Sequence, residues 1–466
     1  MPSPLRLVVA GLLVVLAGAL VVAGFSHDDA PRASARPVEG TALWSARRLP
    51  QAVGDAAAVQ ATNSAIDRAL NGANACVIVR DSTGLIAQRG AGSALTPAST
   101  EKVLTAAAAL ETMGPGFRFE TRALAAAAPT GNGTVDRIVL EGNGDPVLAT
   151  ADFQNWRKGD PKHRDEVTTP LGALADSIVK SGVRNVPGGI VVDGTRYESV
   201  RYVPTWRDSY RLNGEVGPLG ALTVNDGFEE YRGRPQGAND PAVLAGTELA
   251  ALLTARGVAV GPVTVGRVRS EKTVVGSVAS APLSDIVASM IRGSDNYTAE
   301  MLTKELAVRN GVRPGTTAEG VKVTVTELGK AGVPTDGITM IDGSGLDRGN
   351  RVPCEAIDAV LVKTRTDPKL RAIDEGFAVA GKNGTLVDRF GGTDLAGRLR
   401  AKTGTLQGVT GLAGELDGAR PLTFTLIAND SFDLTRGFAL QQQVAQAVDD
   451  FAAAAESGRR AVPAPR

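Results

Sequence analysis

An α+β fold, with an antiparallel sheet flanked by helices and interrupted by a β-rich inserted region, is predicted by the two ends of the chain and by its middle. Near the start, residues 75–80 (ACVIVR) read as a short apolar strand. Asp81-Ser82-Thr83-Gly84 is turn chemistry and Leu85-Ile86-Ala87 returns, which makes a β-hairpin. Near the end, residues 412–415 and 422–427 flank the turn Asp417-Gly418 and make a second hairpin, followed by a helix through Phe438, Val444, Val448 and Phe451. In between, strand-like pieces at 137–140 and 189–193 are separated by Gly, Pro and Asn.

Taken in order, an uncharged apolar run from Leu7 to Phe25 follows Arg6 and precedes Asp28 and Asp29. That charge bias predicts export, with residues 1–25 as a cleaved signal peptide or a retained signal anchor. The rest of the chain is then expected at the extracytoplasmic face of the membrane, in the periplasm or in the cell wall, held to the membrane through residues 7–25 if they are uncleaved. Residues 26–44, rich in Ala, Pro and Ser, read as a tether. Residues 45–118 and 271–455 are expected to form one domain, 119–270 the inserted β-rich region and 456–466 a frayed tail. After Thr96-Pro97-Ala98-Ser99, the apolar residues Val103, Leu104, Ala107 and Leu110 recur at helical spacing until Gly114-Pro115-Gly116 stops the helix.

Composition removes several functions. The 466 residues carry 50 Lys+Arg and 50 Asp+Glu, a balance that gives no reason to expect a nucleic-acid partner. With two histidines, His27 and His163, and two cysteines, Cys76 and Cys354, a four-ligand zinc site would need all four, so no metal or other cofactor is expected. A Ser-His-Asp triad would have to use one of those histidines, so serine chemistry here calls for another base. An exported chain could pair the cysteines, but their spacing shows no disulfide framework, and two separate thiols are expected.

Chemistry concentrates in three short motifs. Ser99-Thr100-Glu101-Lys102 places a hydroxyl and an amine three residues apart at a helix start, on one face, where a desolvated amine can act as the base. Ser177-Ile178-Val179-Lys180 has the same spacing inside an ordinary amphipathic helix, so the pattern alone is weak. Ser294-Asp295-Asn296 sits between two helices, where a turn can aim a hydroxyl and an amide into a cleft. Lys402-Thr403-Gly404-Thr405 precedes the last hairpin and offers a cation, two hydroxyls and a glycine that permits close backbone approach. Residues 376–383 (GFAVAGKN) nearly spell a phosphate-binding loop, but Asn383 replaces the hydroxyl that would hold magnesium and no clear strand precedes it. Lys382 imitates the third motif without the following hydroxyl. Asp342-Gly343-Ser344-Gly345 reads as a tight turn, with Arg348 or Arg351 as substrate-side candidates. Trp156, Trp206, Tyr197, Tyr202 and Tyr210 are candidates for glycan contact or, more simply, for packing.

Ser-x-x-Lys, Ser-Asp-Asn and Lys-Thr-Gly in this order resemble the motifs of the penicillin-binding serine DD-peptidases and serine β-lactamases. The long stretch between Lys102 and Ser294 makes the chain similar to the class C low-molecular-mass penicillin-binding proteins, as do Gly142-Asn143-Gly144-Asp145-Pro146, residues 342–346 and Gly384-Thr385-Leu386. The resemblance spans about residues 45 to 455. It implies a penicillin-binding serine-transferase fold and a D-alanyl-D-alanine carboxypeptidase, or endopeptidase, acting on peptidoglycan stem peptides and acylated by β-lactam antibiotics. In that reading Ser99 is the nucleophile, Lys102 its base and Ser294 a proton relay. Asn296 binds substrate amide, Lys402, Thr403, Gly404 and Thr405 receive the terminal carboxylate, and the N–H groups of Ser99 and Thr405 form the oxyanion hole. A serine β-lactamase and an idle, anchored envelope-binding protein are the alternatives. No Glu-x-x-Leu-Asn stretch of the class A β-lactamase kind lies between Ser294 and Lys402.

Overall fold

Helix α1 (Arg48–Leu70) leads into the hairpin β1 (Asn74–Asp81) and β2 (Gly84–Arg89), and helix α2 (Lys102–Met113) follows. The chain then passes through β3 (Glu120–Ala125), β4 (Ile138–Glu141), α3 (Leu171–Lys180), β5 (Ile190–Asp193), α4 (Pro241–Thr254), β6 (Val263–Val265) and β7 (Thr273–Ala279). It continues with α5 (Leu283–Gly293), α6 (Asn296–Arg309) and α7 (Cys354–Thr364), and closes with β8 (Ala378–Val379), β9 (Leu399–Leu406), β10 (Val409–Leu416), β11 (Leu422–Asn429) and α8 (Leu434–Arg460). The computed structural model describes residues 48–460, so the apolar run at 7–25 and the tether at 26–44 lie outside the described residues.

The first sheet is six-stranded and antiparallel, in the order β8-β9-β10-β11-β1-β2, so the two hairpins of the sequence join where β1 pairs with β11. Alternation along β1 sends side chains to both faces. Cys76 and Ile78 meet Val103, Leu104 and Leu110 of α2, Met290 of α5 and Ile357 of α7. Val77 and Val79 face the other way, with Ile66 of α1 and Val444 and Phe451 of α8. A fully buried side chain of this size stabilises the fold by about 1.5–3 kcal/mol, so a helix layer on each face accounts for a sheet with little solvent on either side. Helix α2 is buried from Lys102 to Leu110, which carries a lysine into the core.

The second sheet has five strands in the order β6-β5-β4-β3-β7. Strands β4, β5 and β6 run parallel, with α3 and α4 as their crossovers, while β3 is antiparallel to β4 and β7. Leu174 and Ile178 of α3 and Leu249 and Leu253 of α4 pack against Ile138, Leu140, Ile190 and Val192. Strand β7 carries this sheet on to Ala279, beyond residue 270, because its pairing with β3 lies on the far side of that position. Helix α8 continues through residues 456–460, where the sequence suggests a tail.

The expectation of two separate thiols is wrong. Cys76 and Cys354 form a disulfide with Cα atoms 5.9 Å apart. Cys76 lies on the face of β1 that packs against α7, and Cys354 is the first residue of α7, so tertiary packing joins residues that no local spacing connects.

Candidate active site

Ser99 sits in a single 3-10 turn, Ala98–Glu101, that opens α2. The turn begins with Ala98 in the left-handed region at φ 47°, and it leaves Ser99 half-buried while the Lys102 side chain is fully buried. The Lys102 Nζ donates to Ser99 Oγ at 2.9 Å, to Asn296 Oδ1 at 2.7 Å and to the Ser344 carbonyl at 2.6 Å. All three ammonium hydrogens therefore have acceptors. Burial nonetheless dominates and lowers the Lys102 pKa to about 8, against the pull of Asp342, Asp295 and Glu300. The Ser344 carbonyl is held in turn by Glu300, whose Oε1 accepts from the N–H groups of Gly343 and Ser344 at 3.0 and 2.8 Å.

The second motif is a break between helices. Ser294 ends α5 in the left-handed region at φ 60°, and the Asp295 carboxylate caps α6 by accepting from the N–H groups of Tyr297 and Thr298. Asn296, the first residue of α6, receives Lys102 on Oδ1 and donates from Nδ2 to the Glu215 carbonyl at 2.8 Å. From β9, Lys402 reaches back to this break. Its Nζ donates to Ser294 Oγ at 2.8 Å and to the Thr403 carbonyl at 2.7 Å. Burial, and then repulsion from Lys102 and Lys162, push the Lys402 pKa well below the usual lysine range. Thr403 Oγ1 bonds Thr385 Oγ1 at 2.9 Å, which brings the Gly384-Thr385-Leu386 stretch to the same wall.

Gly404 has a use the sequence does not reveal. A Cβ there would lie 2.8 Å from the Pro97 carbonyl oxygen and 3.1 Å from Thr100 Cγ2, so the glycine lets the Ser99 turn lie directly on β9. Strand β8 covers only Arg400 and Ala401 of β9, which leaves the edge at 402–406 without a strand neighbour among the described residues.

Ser99, Ser294, Asn296, Thr403 and Thr405 line one cavity of about 700 Å³. The three motifs thus converge. Ser177, the other serine with this spacing, instead accepts from the Ser277 N–H of β7 at 3.1 Å. Arg348 donates to the Gln407 carbonyl and Arg351 to Thr96 Oγ1, and neither lines the cavity. Of the aromatic candidates, Tyr210 lines it, while the Tyr197 hydroxyl is buried on Glu305 and the Trp206 indole donates to Asp342. Lys162, His163, Glu215 and Arg389 also line it. Nothing in the sequence marks Lys162, Glu215 or Arg389, because none of them belongs to a chemical motif. His163 offers itself in the sequence only as a triad member; its Nδ1 is 3.5 Å from Glu166 Oε1, and the side chain bonded to Ser99 Oγ is that of Lys102.

Residues 57–239 and 235–454 match the model of the D-Ala-D-Ala carboxypeptidase 3 (S13) family. A carboxypeptidase of Mycobacterium tuberculosis is 33% identical over 348 residues, covering 72% of this chain and 72% of its own length. A D-alanyl-D-alanine carboxypeptidase of an Actinomadura species is 30% identical over 443 residues, covering 78% of this chain and 79% of its own. Among solved structures, penicillin-binding protein 4 of Haemophilus influenzae superposes with a TM-score of 0.67 at 22% identity, over 82% of this chain and 99% of its own, and shares the fold. The chain belongs to the D-Ala-D-Ala carboxypeptidase 3 (S13) family.

Proposed function

We propose that the chain hydrolyses the terminal D-alanyl-D-alanine bond of peptidoglycan stem peptides through an acyl-serine intermediate. The observation that carries this reading is the contact of 2.9 Å between Lys102 Nζ and Ser99 Oγ, made by an amine whose pKa is lowered to about 8. A neutral Lys102 takes the Ser99 proton as Oγ attacks the carbonyl of the penultimate D-alanine. The N–H groups of Ser99 and Thr405 receive the oxyanion. As the C–N bond breaks, Ser294, held by Lys402, passes a proton to the departing amine, and water then hydrolyses the ester to restore Ser99. Asn296 meets the substrate's amide, while Lys402, Thr403 and Thr405 take the terminal carboxylate beside Gly404. The bare strand edge at 402–406 suits an extended peptide laid along it.

Penicillin presents a strained amide and a carboxylate in the same relation, so it acylates Ser99 and stays. That behaviour distinguishes the peptidase from a serine β-lactamase, which would turn penicillin over, and from an idle envelope-binding protein, which would do neither. The relatives in the Mycobacterium and Actinomadura species carry carboxypeptidase names, which supports the first reading. Substrate and the apolar run at 7–25 both point to an exported enzyme outside the cytoplasm, with that run as leader or anchor. Among the described residues, no helix is long and apolar enough to cross a membrane. The test is intact mass after incubation with benzylpenicillin. A persistent adduct on the parent protein but not on Ser99→Ala is expected, and rapid penicillin consumption without an adduct would overturn the reading.

A further inference from the structure

The flank of the cleft beside Ser294 and Lys402 is built partly by a short segment between β4 and α3. Asp160 caps the single turn Pro161–His163, accepting from the Lys162 N–H at 2.9 Å. The turn packs against Gly384–Leu386 and against the end of α5. At that end a Cβ on Gly293 would lie 3.3 Å from the His163 imidazole, so the ring presses on the residue before Ser294. Arg157 makes two hydrogen bonds to Glu166, which closes the base of the segment and neutralises that carboxylate. The segment is therefore pinned on both sides, and Lys162 is held in the cavity wall with Ser294, Thr385 and Thr403.

The Lys162 ammonium has no hydrogen-bond or ion-pair partner among the described residues, and the residue is half-buried in the cavity wall. Burial and the neighbouring Arg157 guanidinium lower its pKa, and Glu215, Asp160 and Asp295 oppose them at longer range. A half-buried cation that faces a cavity without a counter-ion is a ready partner for an anionic ligand group. Lys402, Thr403 and Thr405 already account for one carboxylate, and a departing D-alanine has no second one.

Resting on the function proposed above, we infer that Lys162 forms a second anion subsite on the leaving-group side of the cleft, which favours release of a D-residue that carries a second carboxylate. The reaction is unchanged in its balance: the scissile amide breaks, the departing nitrogen gains a proton through Ser294, and water completes the acyl transfer. Only the group that leaves is larger and more acidic.

Competition between two synthetic substrates, an acyl-D-Ala-D-Ala and the matching acyl-D-Ala-D-Glu, reads this directly. The ratio of their kcat/KM values cancels any loss of folded protein. It is expected to favour D-Glu in the parent protein, to fall about ten-fold in Lys162→Gln, and to survive in Lys162→Arg; ten-fold corresponds to the loss of one charge-assisted contact. In Lys162→Glu the preference is expected to move to acyl-D-Ala-D-Lys. An unchanged ratio in Lys162→Gln and Lys162→Glu, or a parent protein that does not prefer D-Glu, overturns the subsite. If the parent protein cleaves no substrate and forms no penicillin adduct, the proposed function itself fails; if it cleaves acyl-D-Ala-D-Ala normally and the ratio does not respond, only the role of Lys162 fails.

Discussion

Gly404 of β9 and Pro97, two residues before Ser99, are in direct backbone contact: a Cβ on Gly404 would come within 2.8 Å of the Pro97 carbonyl oxygen. Gly411 on β10, the register partner of Gly404, meets the same turn, with a Cβ position 2.9 Å from Thr100 Cγ2. Two facing glycines thus make the shallow seat on which the Ser99 turn rests. Gly404→Ala should lift the turn by a few tenths of an ångström and misalign Ser99 from Thr405. An expected fall of about ten-fold or more in the rate of benzylpenicillin acylation, with a melting temperature lowered by only a few degrees, follows from the sensitivity of acyl transfer to geometry. Acylation at the parent rate would show that the seat does not set the position of Ser99.

Lys102 and Lys402 should shape the pH dependence in opposite senses. Lys102 acts as a base only when neutral, so below its pKa of about 8 the acylation rate should rise ten-fold per pH unit and then level off. In the carboxylate-binding role proposed for it, Lys402 must be charged. Burial lowers its pKa in the empty cleft, and an approaching carboxylate pulls it back up, so affinity for anionic substrates should weaken as pH rises. The second-order acylation constant by benzylpenicillin, measured from pH 6 to 10, should therefore trace a bell, and Lys402→Gln should flatten its alkaline limb. A rate independent of pH across that range would remove Lys102 from the role of base.

What the sequence made legible was local. Ser99 with Lys102, Ser294 with Asn296, and Lys402 with Thr403 are each neighbours in the chain, and hairpins and helices at both ends follow from strand alternation and helical spacing. What stayed hidden was made by packing or by the backbone. The Ser344 carbonyl that grips Lys102 has no side-chain signature, Lys162 enters from a segment without a motif, and Cys76 meets Cys354 only through the packing of β1 against α7. Gly404 was visible as a glycine, but its purpose depends on Pro97, more than three hundred residues earlier.

The disulfide joins β1 to α7 across a sequence separation of 278 residues, and both cysteines are fully buried. Closing so long a loop restricts the unfolded chain, and removing such a link typically costs about 2–5 kcal/mol. The double variant Cys76→Ala, Cys354→Ala should lose stability in that range, read from the midpoint of urea unfolding. Because neither sulfur is exposed, a thiol reductant should leave the native parent protein unchanged and act only once it unfolds. Rapid reduction under native conditions would contradict the burial of the bridge.

Glu300 should matter for catalysis although it does not touch the cleft. It lies one turn after Asn296 on α6, on the same face, and its Oε1 takes the two N–H groups of the turn whose Ser344 carbonyl meets Lys102 at 2.6 Å. Glu300→Ala strands two buried N–H groups, at about 1–3 kcal/mol each, and frees the carbonyl from its position. Removing the Glu300 carboxylate, which pulls the Lys102 pKa up, and displacing that acceptor both make the ammonium form of Lys102 less favoured, so its pKa falls and the rising limb of the acylation profile should move to lower pH, with a lower plateau as Lys102 loses its alignment. Glu300→Gln keeps an oxygen in place and should retain most of the plateau. The limb separates positioning from simple destabilisation: a Glu300→Ala protein with a lower melting temperature but an unmoved limb would mean that the carboxylate supports the fold and does not position the base.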